Sequence, residues 1–371
     1  MRTEKIIQSV GVVSKSRLAL PFVSVILPVR NEAKFIASSL SAVLNQDYPS
    51  EQLEIIVADG MSIDNTRQIV ESFQARHPNV RLIDNPGRIV PTGLNAAIAQ
   101  ARGEIIVRVD GHCEVARDYV RNCVEHLLNG AVDGVGGPLE TVGETFIARV
   151  TATAMSSAFG VGDSAFRTVN DKTMLTDTVA FPAYTRTIVE KAGPFDEELV
   201  RNQDDEYNYR LRKIGARILL ASDVRSRYYS RGSLRSLWRQ YLQYGYWKVR
   251  VMQKHPRQMR PRQFVPFFFV VSLLFSLLIL PFSSLGTLLL SLVIGSYVIS
   301  NSVASVLVAR RKGWQLLPLL PAAFAILHLA FGLGFLVGLI KFWNRWLDCG
   351  TSSTALQGTS KKFTKGLKDA I

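Results

Sequence analysis

Two apolar runs in the first third of the sequence end on carboxylates. Asp59 ends the run LEIIVAD, and Asp110 ends GEIIVRVD and is followed at once by Gly111 and His112. Carboxylates and imidazoles are side chains that hold metal ions and exchange protons in enzymes. Taken alone, Asp110-Gly111-His112 is more often a turn than a site, so the surrounding elements have to decide between the two.

A second acidic group lies further along the chain, in the segment RNQDDEYNYRLR. Asp204 and Asp205 are adjacent there, and on a helix their side chains point about 100° apart, so only one of them can face a given ligand. Like charges in contact raise one another's proton affinity, which suits a general base. The alternative is an ordinary acidic helix start that the helix dipole stabilises.

The elements that must position these groups alternate between short β-branched runs and amphipathic stretches. Apolar strands separated by helices are typical of an α/β fold with a mostly parallel sheet covered on both faces, and such a sheet binds its ligand at the carboxyl ends of its strands. The predicted strands are 23–29, 53–58, 80–83 and 104–109, and the predicted helices are 32–44, 64–75 and 92–101.

Charged residues follow each predicted strand. Arg30 and Glu32 follow the first strand, Asp59 the second, Arg88 the third and Asp110 the fourth. The turn after the first strand reads PVRNE and contains neither GxGxxG nor GxxxxGK[ST], which disfavours a dinucleotide-binding oxidoreductase and a P-loop ATPase. The strand ends therefore predict a polar ligand site of another class.

The last third of the chain contains three long runs without Asp, Glu, Lys or Arg. Spanning a bilayer takes about 20 such residues, so residues 284–309 and 316–340 are strong transmembrane candidates. Residues 265–282 form a shorter and weaker candidate. We therefore predict two to three membrane helices within 264–342. Buried core helices of a large soluble protein are the alternative.

The net charge of +14 is concentrated before these runs, because residues 225–262 are rich in Arg and Lys and contain no acid. A basic stretch interleaved with Trp and Tyr next to a membrane segment is attracted to anionic headgroups. An RNA-binding patch is the alternative, but no nucleic-acid module accompanies it. We expect a membrane partner and no nucleic acid.

The cysteines and the termini carry little information about function. Cys113, Cys123 and Cys349 have neither a metal-ligand spacing nor a disulfide pattern and are expected to be buried or free thiols. No long apolar segment precedes the first strand, so a cleaved signal peptide is not expected.

Four ordered motifs carry a resemblance: VSVILPVRNEAKFI, IIVADGMSIDNT, GEIIVRVDGHCEV and GPFDEELVRNQDDEYNYRLRKIGARI. They resemble those of the family 2 inverting glycosyltransferases with the GT-A nucleotide-sugar fold, in particular an ExoA-like, succinoglycan-type branch. The resemblance implies a GT-A domain at 22–250. We expect it to follow an N-terminal extension at 1–21 and to precede a basic linker at 251–263, the membrane region at 264–342 and a basic tail at 343–371.

The resemblance implies roles for the strand-end residues. Asp110 and His112 stand where the family has its Asp-x-Asp motif, which holds a divalent metal, Mg²⁺ or Mn²⁺, against the donor diphosphate. His112 replaces the second Asp, and imidazole favours Mn²⁺; the alternative is a plain turn residue. Asp59 would accept a hydrogen bond from the base or belong to a turn, and Asp64 is expected to cap a helix. The residues implied to bind the nucleotide sugar are Pro28, Arg30, Glu32, Asp59, Arg88 and Asp110.

The resemblance also implies a general base. Aligning Arg210 and Leu211 with the family's Arg-Leu places Gln203 at the family's Glu and Asp204 at the catalytic Asp, and a slip of one residue makes Asp205 the alternative. The Gln-x-x-Arg-Trp motif of polymerising relatives is absent, which predicts addition of a single sugar. The residues that could line the acceptor or diphosphate end, or simply pack, are Gln240, Tyr244 and Trp247.

Together these features predict a membrane-anchored glycosyltransferase at the cytoplasmic face of the inner membrane, with a multi-pass anchor. It would move a sugar from a nucleotide-sugar donor, expected to be UDP-linked, to a glycan on a polyprenyl diphosphate lipid in exopolysaccharide or cell-surface glycan synthesis. The alternative is a non-catalytic nucleotide-sugar sensor. Three spans would leave the basic tail outside, against the positive-inside rule, and two spans with a re-entrant first run would invert the inner loop.

Overall fold

The computed structural model describes residues 20–129, 132–162, 164–230 and 232–346. Its first half is a parallel βα unit in which the strands lie side by side in the order β3-β2-β1-β4. The elements are β1 (Val23–Val29), α1 (Ile36–Leu44), β2 (Leu53–Asp59), α2 (Thr66–Gln74), β3 (Val80–Asp84), α3 (Val90–Gln100) and β4 (Ile105–Arg108).

The second half extends this sheet with strands of mixed direction. The full order is β3-β2-β1-β4-β9-β6-β10-β8, and a smaller sheet has the order β5-β11-β7. The elements are β5 (Cys113–Val115), α4 (Tyr119–Leu128), β6 (Gly134–Gly137), β7 (Leu139–Val142), α5 (Phe146–Met155), α6 (Ala158–Val161), α7 (Ala165–Thr168), β8 (Met174–Leu175), β9 (Ala180–Thr185), α8 (Arg186–Ala192), α9 (Gln203–Lys213), β10 (Ile218–Leu220) and β11 (Ser226–Tyr229).

The central strands are buried on both faces, as the apolar runs predict. Val25 and Leu27 of β1 pack into one core cluster with α1, whereas Ile26 packs into a second cluster with α3 on the opposite face. This alternation follows from the two-residue repeat of a strand. The core therefore holds the carboxyl ends of β1, β2 and β4 at one edge of the sheet.

The predicted strands agree with the structure to within one residue at their bounds, but the first helix begins later than expected. Glu32 to Phe35 form a turn in which the amide N–H groups of Phe35 and Ile36 donate to the Glu32 carbonyl, at 2.9 Å each. The Glu32 N–H donates to Thr66 Oγ1 at 2.8 Å, and the Ala33 N–H donates to Asp64. Bonds to the next loop thus hold the residues after β1 in a turn.

Four long helices complete the described chain: α10 (Leu234–Lys254), α11 (Val265–Ile279), α12 (Ser284–Lys312) and α13 (Leu320–Lys341). Three of them, α11 extended by its preceding turn from Pro261, α12 and α13, are long and apolar enough to cross a membrane. The sequence predicted two to three such helices.

Helices α10 and α13 are in backbone contact through glycines. A Cβ at Gly245 would lie 2.0 Å from the Phe331 carbonyl oxygen, and one at Gly334 would lie 2.0 Å from the Leu242 carbonyl oxygen. Small residues allow this close approach, as they do between membrane helices. Helix α10 is thereby fixed along α13.

The expectation that the basic, aromatic-rich stretch faces anionic headgroups needs correction for part of α10. Much of the stretch is α10, whose Tyr241 and Tyr246 are buried against other helices and whose Lys248 and Arg250 are buried in ion pairs with carboxylates of the α/β part. The composition alone assigned this helix to the headgroup region. In the structure, apolar side chains and carboxylates of the protein itself contact it. This helix also crosses the expected domain boundary at residue 250.

Cys113 and Cys123 are buried free thiols, as expected. Cys349, the N-terminal extension up to residue 19 and the tail from residue 347 lie outside the described residues.

Candidate functional site

A cavity of about 1460 Å³ opens at the carboxyl ends of β1 and β4. Most of the residues singled out in the sequence line it, although they lie up to 177 positions apart. These are Pro28, Arg30, Glu32, Arg88, Asp110, His112, Asp204 and Asp205. The structure thus brings together the first, third and fourth strand ends and the acidic start of α9.

Asp59 is oriented differently. Its carboxylate is buried and accepts hydrogen bonds from the backbone N–H and hydroxyl of Ser62, and Arg67 lies 3.5 Å away. The neighbouring Gly60 forms the cavity wall at this strand end. The base-binding role of Asp59 stays a prediction, because its carboxylate bonds within its own loop. Asp64 accepts hydrogen bonds from the N–H and hydroxyl of Thr66, the first residue of α2, although the N-cap position of the helix is Asn65.

Arg108 joins two of the candidate carboxylates. Its side chain is 8% exposed, its Nη2 lies 3.1 Å from Asp110 Oδ1, and its Nη1 lies 3.7 Å from Asp204 Oδ2. Burial alone would lower the pKa of Arg108, but Asp110 and Asp204 outweigh it and raise the pKa. A permanent cation therefore holds the fourth strand end and the start of α9 together.

The sequence reasoning missed Arg108, although a signal was present. It is the one charged residue within the apolar run IIVRV, and a charge in a strand buried on both faces needs a partner there.

His112 is oriented by Glu32. His112 Nδ1 lies 3.0 Å from Glu32 Oε1, and the imidazole ring meets the Tyr228 ring edge-on at 5.0 Å between centroids. A proton on Nδ1 satisfies the contact with Glu32 and leaves the Nε2 lone pair available. Gly111 makes this arrangement possible, because a Cβ there would lie 2.9 Å from Val29 Cγ1.

The donor set at this strand end fits a divalent metal. Within residues 20–346, apart from the undescribed positions, no group of three or more His, Cys, Asp or Glu side chains has the arrangement of a complete protein cage. Mg²⁺ and Mn²⁺ at nucleotide sites commonly take one or two protein ligands and complete their shell with phosphate oxygens and water. Asp110 and an imidazole held by a carboxylate match that pattern, including the usual histidine–carboxylate support.

Asp204 and Asp205 have different surroundings at the start of α9. The Asp204 side chain is 46% exposed, whereas the Asp205 carboxylate is ion-paired with Lys248, whose side chain is 5% exposed. Gln203, which stands where the resemblance places a Glu, is buried, and its Oε1 has no hydrogen-bond partner among the described residues. Asp204 is thus the more accessible carboxylate.

Four non-glycine residues of the cavity wall have left-handed backbone conformations. They are Asn31, Arg88, Phe181 and Asn202, with φ of 54°, 61°, 45° and 62°. Such conformations cost about 1–3 kcal/mol each unless the surroundings support them, and they cluster at functional sites. At Asn202 the support comes from α10, because its side-chain amide donates to the Tyr244 carbonyl at 2.9 Å.

The segment before α9, residues 196–202, is held by α10 at several further points. Arg250 Nε lies 2.7 Å from Glu198 Oε1, Lys254 pairs with Asp196 and Glu198, and Arg201 Nε donates to Gln243 Oε1 at 3.0 Å. Partial burial would raise the pKa of Glu198, but hydrogen bonds from Arg250 and Lys254 dominate and lower it to about 2. The sequence showed the charges of both segments but not their pairing.

The far end of the cavity reaches α10 and the apolar helices. Gln240 and Tyr244 line it, as the sequence suggested, whereas Trp247 packs against Tyr246 and Phe342. Gln240 Nε2 donates to Tyr244 Oη at 2.9 Å, and its Oε1 has no hydrogen-bond partner in the described chain. The wall continues along the apolar helices with Phe269, Ser272, Ser296, Tyr297, Ser300, His328 and Phe331.

Comparisons with known proteins agree with this architecture. The family model for glycosyl transferase family 2 matches residues 24–191. The succinoglycan biosynthesis protein ExoA of Rhizobium meliloti is 30% identical over 337 residues, which cover 86% of this chain and 96% of that protein.

A second relative comes from Methanococcus voltae and is 27% identical over 328 residues, covering 86% of this chain and 98% of its own length. Its name is dolichyl N-acetyl-alpha-D-glucosaminyl phosphate 3-beta-D-2,3-diacetamido-2,3-dideoxy-beta-D-glucuronosyltransferase. Among solved structures, the mannosyltransferase PcManGT from Pyrobaculum calidifontis in complex with GDP-Man and Mn²⁺ superposes with a TM-score of 0.55 at 22% identity, covering 85% of this chain and 87% of that one. The GT-A fold prediction is confirmed.

Proposed function

Because the chain belongs to glycosyl transferase family 2 and is a glycosyltransferase, we propose that it transfers one sugar, with inversion, from a UDP-linked donor to a lipid-linked saccharide at the cytoplasmic face of the membrane. The product would belong to exopolysaccharide or another cell-surface glycan. The observation that carries the proposal is the placement of Asp110, His112 and Asp204 in one cavity, with Arg108 between the two carboxylates.

At the donor end, Asp110 and His112 would hold a divalent metal against the diphosphate. When bound, such a metal neutralises the charge that develops on the leaving diphosphate. Glu32 keeps the imidazole in place through the 3.0 Å contact with Nδ1, and Arg30 and Arg88 add positive charge to the same wall. These arginines suit the remaining phosphate oxygens, because guanidinium groups bind phosphate well.

At the acceptor end, Asp204 would take the proton from the attacking hydroxyl. Inversion requires this hydroxyl to approach opposite the leaving diphosphate, so the base and the diphosphate site have to lie on different sides of the sugar. Arg108 contacts Asp110 with Nη2 and Asp204 with Nη1, which fixes the spacing of the two functions. Asp205 is the weaker candidate, because its carboxylate accepts a direct hydrogen bond from the buried Lys248. Asp204, by contrast, is 3.7 Å from Arg108 and is the more exposed of the two carboxylates.

The lipid-linked acceptor has two lines of support. The Methanococcus voltae relative is named for action on a dolichyl phosphate-linked sugar, and the cavity here extends from Asp204 to side chains of three apolar helices. The buried oxygens of Gln203 and Gln240, which lack partners among the described residues, would accept hydrogen bonds from acceptor hydroxyls.

The proposal that the donor contains uridine is based on the sequence. A strand-end carboxylate such as Asp59 is an acceptor for the ring N–H of uracil. Binding the base in this way requires Asp59 to exchange its bonds to Ser62 for bonds to the ligand.

Membranes that contain the protein, incubated with radiolabelled nucleotide sugars, test the proposal. We expect label from one UDP-sugar, and not from GDP-mannose, in the lipid extract. Asp204→Asn should lower transfer by at least ~100-fold, which is the usual contribution of a general base. Asp205→Asn is the matched control and should keep turnover per folded molecule within about tenfold, because the lost group is an ion-pair partner and not the base.

Two results would contradict the proposal. Near wild-type turnover by Asp204→Asn would remove the base from the mechanism. Transfer from GDP-mannose alone would remove uridine from the donor.

A further inference from the structure

Helix α13 is as apolar as a membrane span, yet protein surrounds much of it. In its most apolar stretch of 18 residues, 44% of the residues are buried, against 11% in the α11 segment and 17% in α12. The exposed large apolar side chains of α13 are Val337 and Ile340, both near its end. A helix that crosses a bilayer with only two other helices beside it should instead expose apolar side chains to lipid along much of its length.

Both ends of α13 contact the same α/β part of the molecule. Near its start, Leu320 and Phe324 belong to one core cluster with Val150 and Met155 of α5. Just after its end, Arg345 Nη1 lies 2.5 Å from Glu198 Oε1. A straight helix of 22 residues is about 33 Å long, so its ends could contact one water-soluble domain only if the helix lay along that domain.

Helix α10 runs beside α13 in the same direction. Gly334 meets Leu242 and Gly338 meets Tyr246, four residues further along both helices. A different face of α10 carries Lys248, which is ion-paired with Asp205. If α13 crossed the membrane, α10 and its ion pairs would be drawn into the hydrocarbon, where charged groups are costly.

Helices α11 and α12 form a hairpin that, unlike α13, is largely not covered by protein. No charged residue occurs from Val265 to Ala309. The base of the hairpin is tied to α13, because Tyr297 Oη lies 3.0 Å from His328 Nδ1 and the Asn301 amide donates to the Pro321 carbonyl at 3.0 Å. Towards the tip the hairpin exposes Leu274, Phe275, Leu277, Leu278, Phe282, Leu285, Leu288 and Leu292.

We propose that the hairpin of α11 and α12 is the part of the described chain that enters the lipid hydrocarbon, and that α13 stays on the side of the α/β part as a platform between the two. Residues 342–346, which follow α13, then lie on the same side as the α/β part. This arrangement goes beyond the proposed function and does not depend on the donor or the acceptor.

The arrangement also accounts for the distribution of charge. Under this arrangement the basic end of α12, Arg310-Arg311-Lys312, and the basic residues Lys341 and Arg345 at and after the end of α13 lie on the same side as the α/β part. The positive-inside rule is then obeyed at both places, whereas three full spans would violate it after α13.

Single cysteines labelled by a membrane-impermeant maleimide test the proposal in the full-length chain. Cys349→Ser provides the background, because Cys113 and Cys123 are buried. Lys213→Cys marks the α/β part, Lys312→Cys the end of α12, and Asn344→Cys the residues after α13; all three positions are exposed. Trp343→Cys, at a position that is 72% exposed, is a second probe of the last region.

We expect all four cysteines to be labelled in inside-out vesicles and protected in right-side-out spheroplasts until the membrane is permeabilised. Labelling of Asn344→Cys and Trp343→Cys from the side opposite Lys213→Cys would show that α13 crosses, and would overturn the proposal. Protection of both from either side would place the end of α13 within the hydrocarbon and would overturn it equally.

Discussion

At the scale of single residues, the centre of the site is a chain of charge contacts. Arg108 holds Asp110 and Asp204, and Glu32 holds His112. Each candidate ligand or base thus has a partner that fixes its position. Such support normally matters almost as much as the functional group itself.

Glu32 provides a prediction at this scale. Glu32→Ala should raise the Mn²⁺ concentration for half-maximal transfer by ~10–100-fold, because loss of a carboxylate behind a ligating histidine weakens metal binding by about that factor. Glu32→Gln keeps an oxygen for His112 Nδ1–H and should lie between wild type and Glu32→Ala.

Two measurements check this prediction. Transfer is titrated with Mn²⁺ after EDTA treatment, and Mn²⁺ binding in the presence of UDP is followed by electron paramagnetic resonance. Unchanged Mn²⁺ affinity in Glu32→Ala would remove His112 as a metal ligand and favour the plain turn residue.

Sequence reasoning identified the partly exposed members of this site better than the fully buried ones. Residues such as Asp110 and Glu32 follow strands, so the rule for strand ends finds them. Arg108 lies within β4 and not after it, so the rule does not find it. Its partner Asp204 lies 96 positions away, a distance in sequence that no local pattern covers. Asp59 matched the rule but bonds within its own loop, because Ser62 and Arg67 are close enough to satisfy it.

At the scale of elements, α10 is the scaffold of the segment that contains the candidate base. Arg250 and Lys254 reach Glu198, Gln243 reaches Arg201, and the Tyr244 carbonyl accepts from Asn202. These bonds hold residues 196–202, which have no regular secondary structure of their own. The position of the candidate base, Asp204, therefore depends on a helix that begins 30 positions further along the chain.

The pH dependence of stability should reveal this scaffold. The pKa of Glu198 is lowered to about 2 from 4.5, and a lowered carboxyl pKa contributes stability that is present above the unfolded-state value and is lost as pH falls through the folded-state value. A shift of this size corresponds to about 3 kcal/mol. Glu198→Gln should therefore destabilise the protein at pH 7, and its difference from wild type should shrink between pH 4.5 and 2.

Unfolding in detergent micelles across this pH range provides the measurement. Asp47→Asn is the control, because Asp47 and its partner Arg121 are 49% and 44% exposed and such pairs contribute little. A Glu198→Gln protein as stable as wild type at pH 7 would contradict a stabilising role of the cluster.

The first half of the fold was predictable from sequence and the second half was not. Strands β1 to β4 are continuous apolar runs separated by helices, a pattern with few alternative readings. Strands such as β8 and β10 have two and three residues and pair across long stretches of chain, so their local sequence carries little information. Their order in the sheet depends on tertiary packing.

At the scale of the whole molecule, α13 connects the parts. It contacts α5 and α10 on one side and the hairpin of α11 and α12 on the other. The sequence showed three runs of similar hydropathy, and hydropathy does not distinguish a helix buried against protein from one buried in lipid. What distinguishes α13 from the other two runs is its close backbone contact with α10 at Gly245, Gly334 and Gly338. That contact is formed between helices that are distant in sequence, so hydropathy does not reveal it.

The extent of the cavity has a kinetic consequence. One continuous wall carries Asp204 in the α/β part and Phe269 and Tyr297 at the base of the hairpin. Under the proposed function, the nucleotide sugar arrives from bulk solution, whereas the acceptor arrives by diffusion within the lipid layer. The effective concentration of the acceptor is then its mole fraction in the membrane lipid and not its amount per volume of solution.

In vesicles, we expect the rate of transfer below acceptor saturation to fall in proportion when inert phospholipid is added at constant amounts of enzyme and acceptor. Slow hydrolysis of the donor by water should stay constant in the same vesicles. Transfer that is insensitive to added phospholipid would mean that the acceptor reaches the cavity from solution. If transfer does fall with added phospholipid, the donor reaches the cavity by diffusion in three dimensions through solution, and the acceptor by diffusion in two dimensions within the membrane.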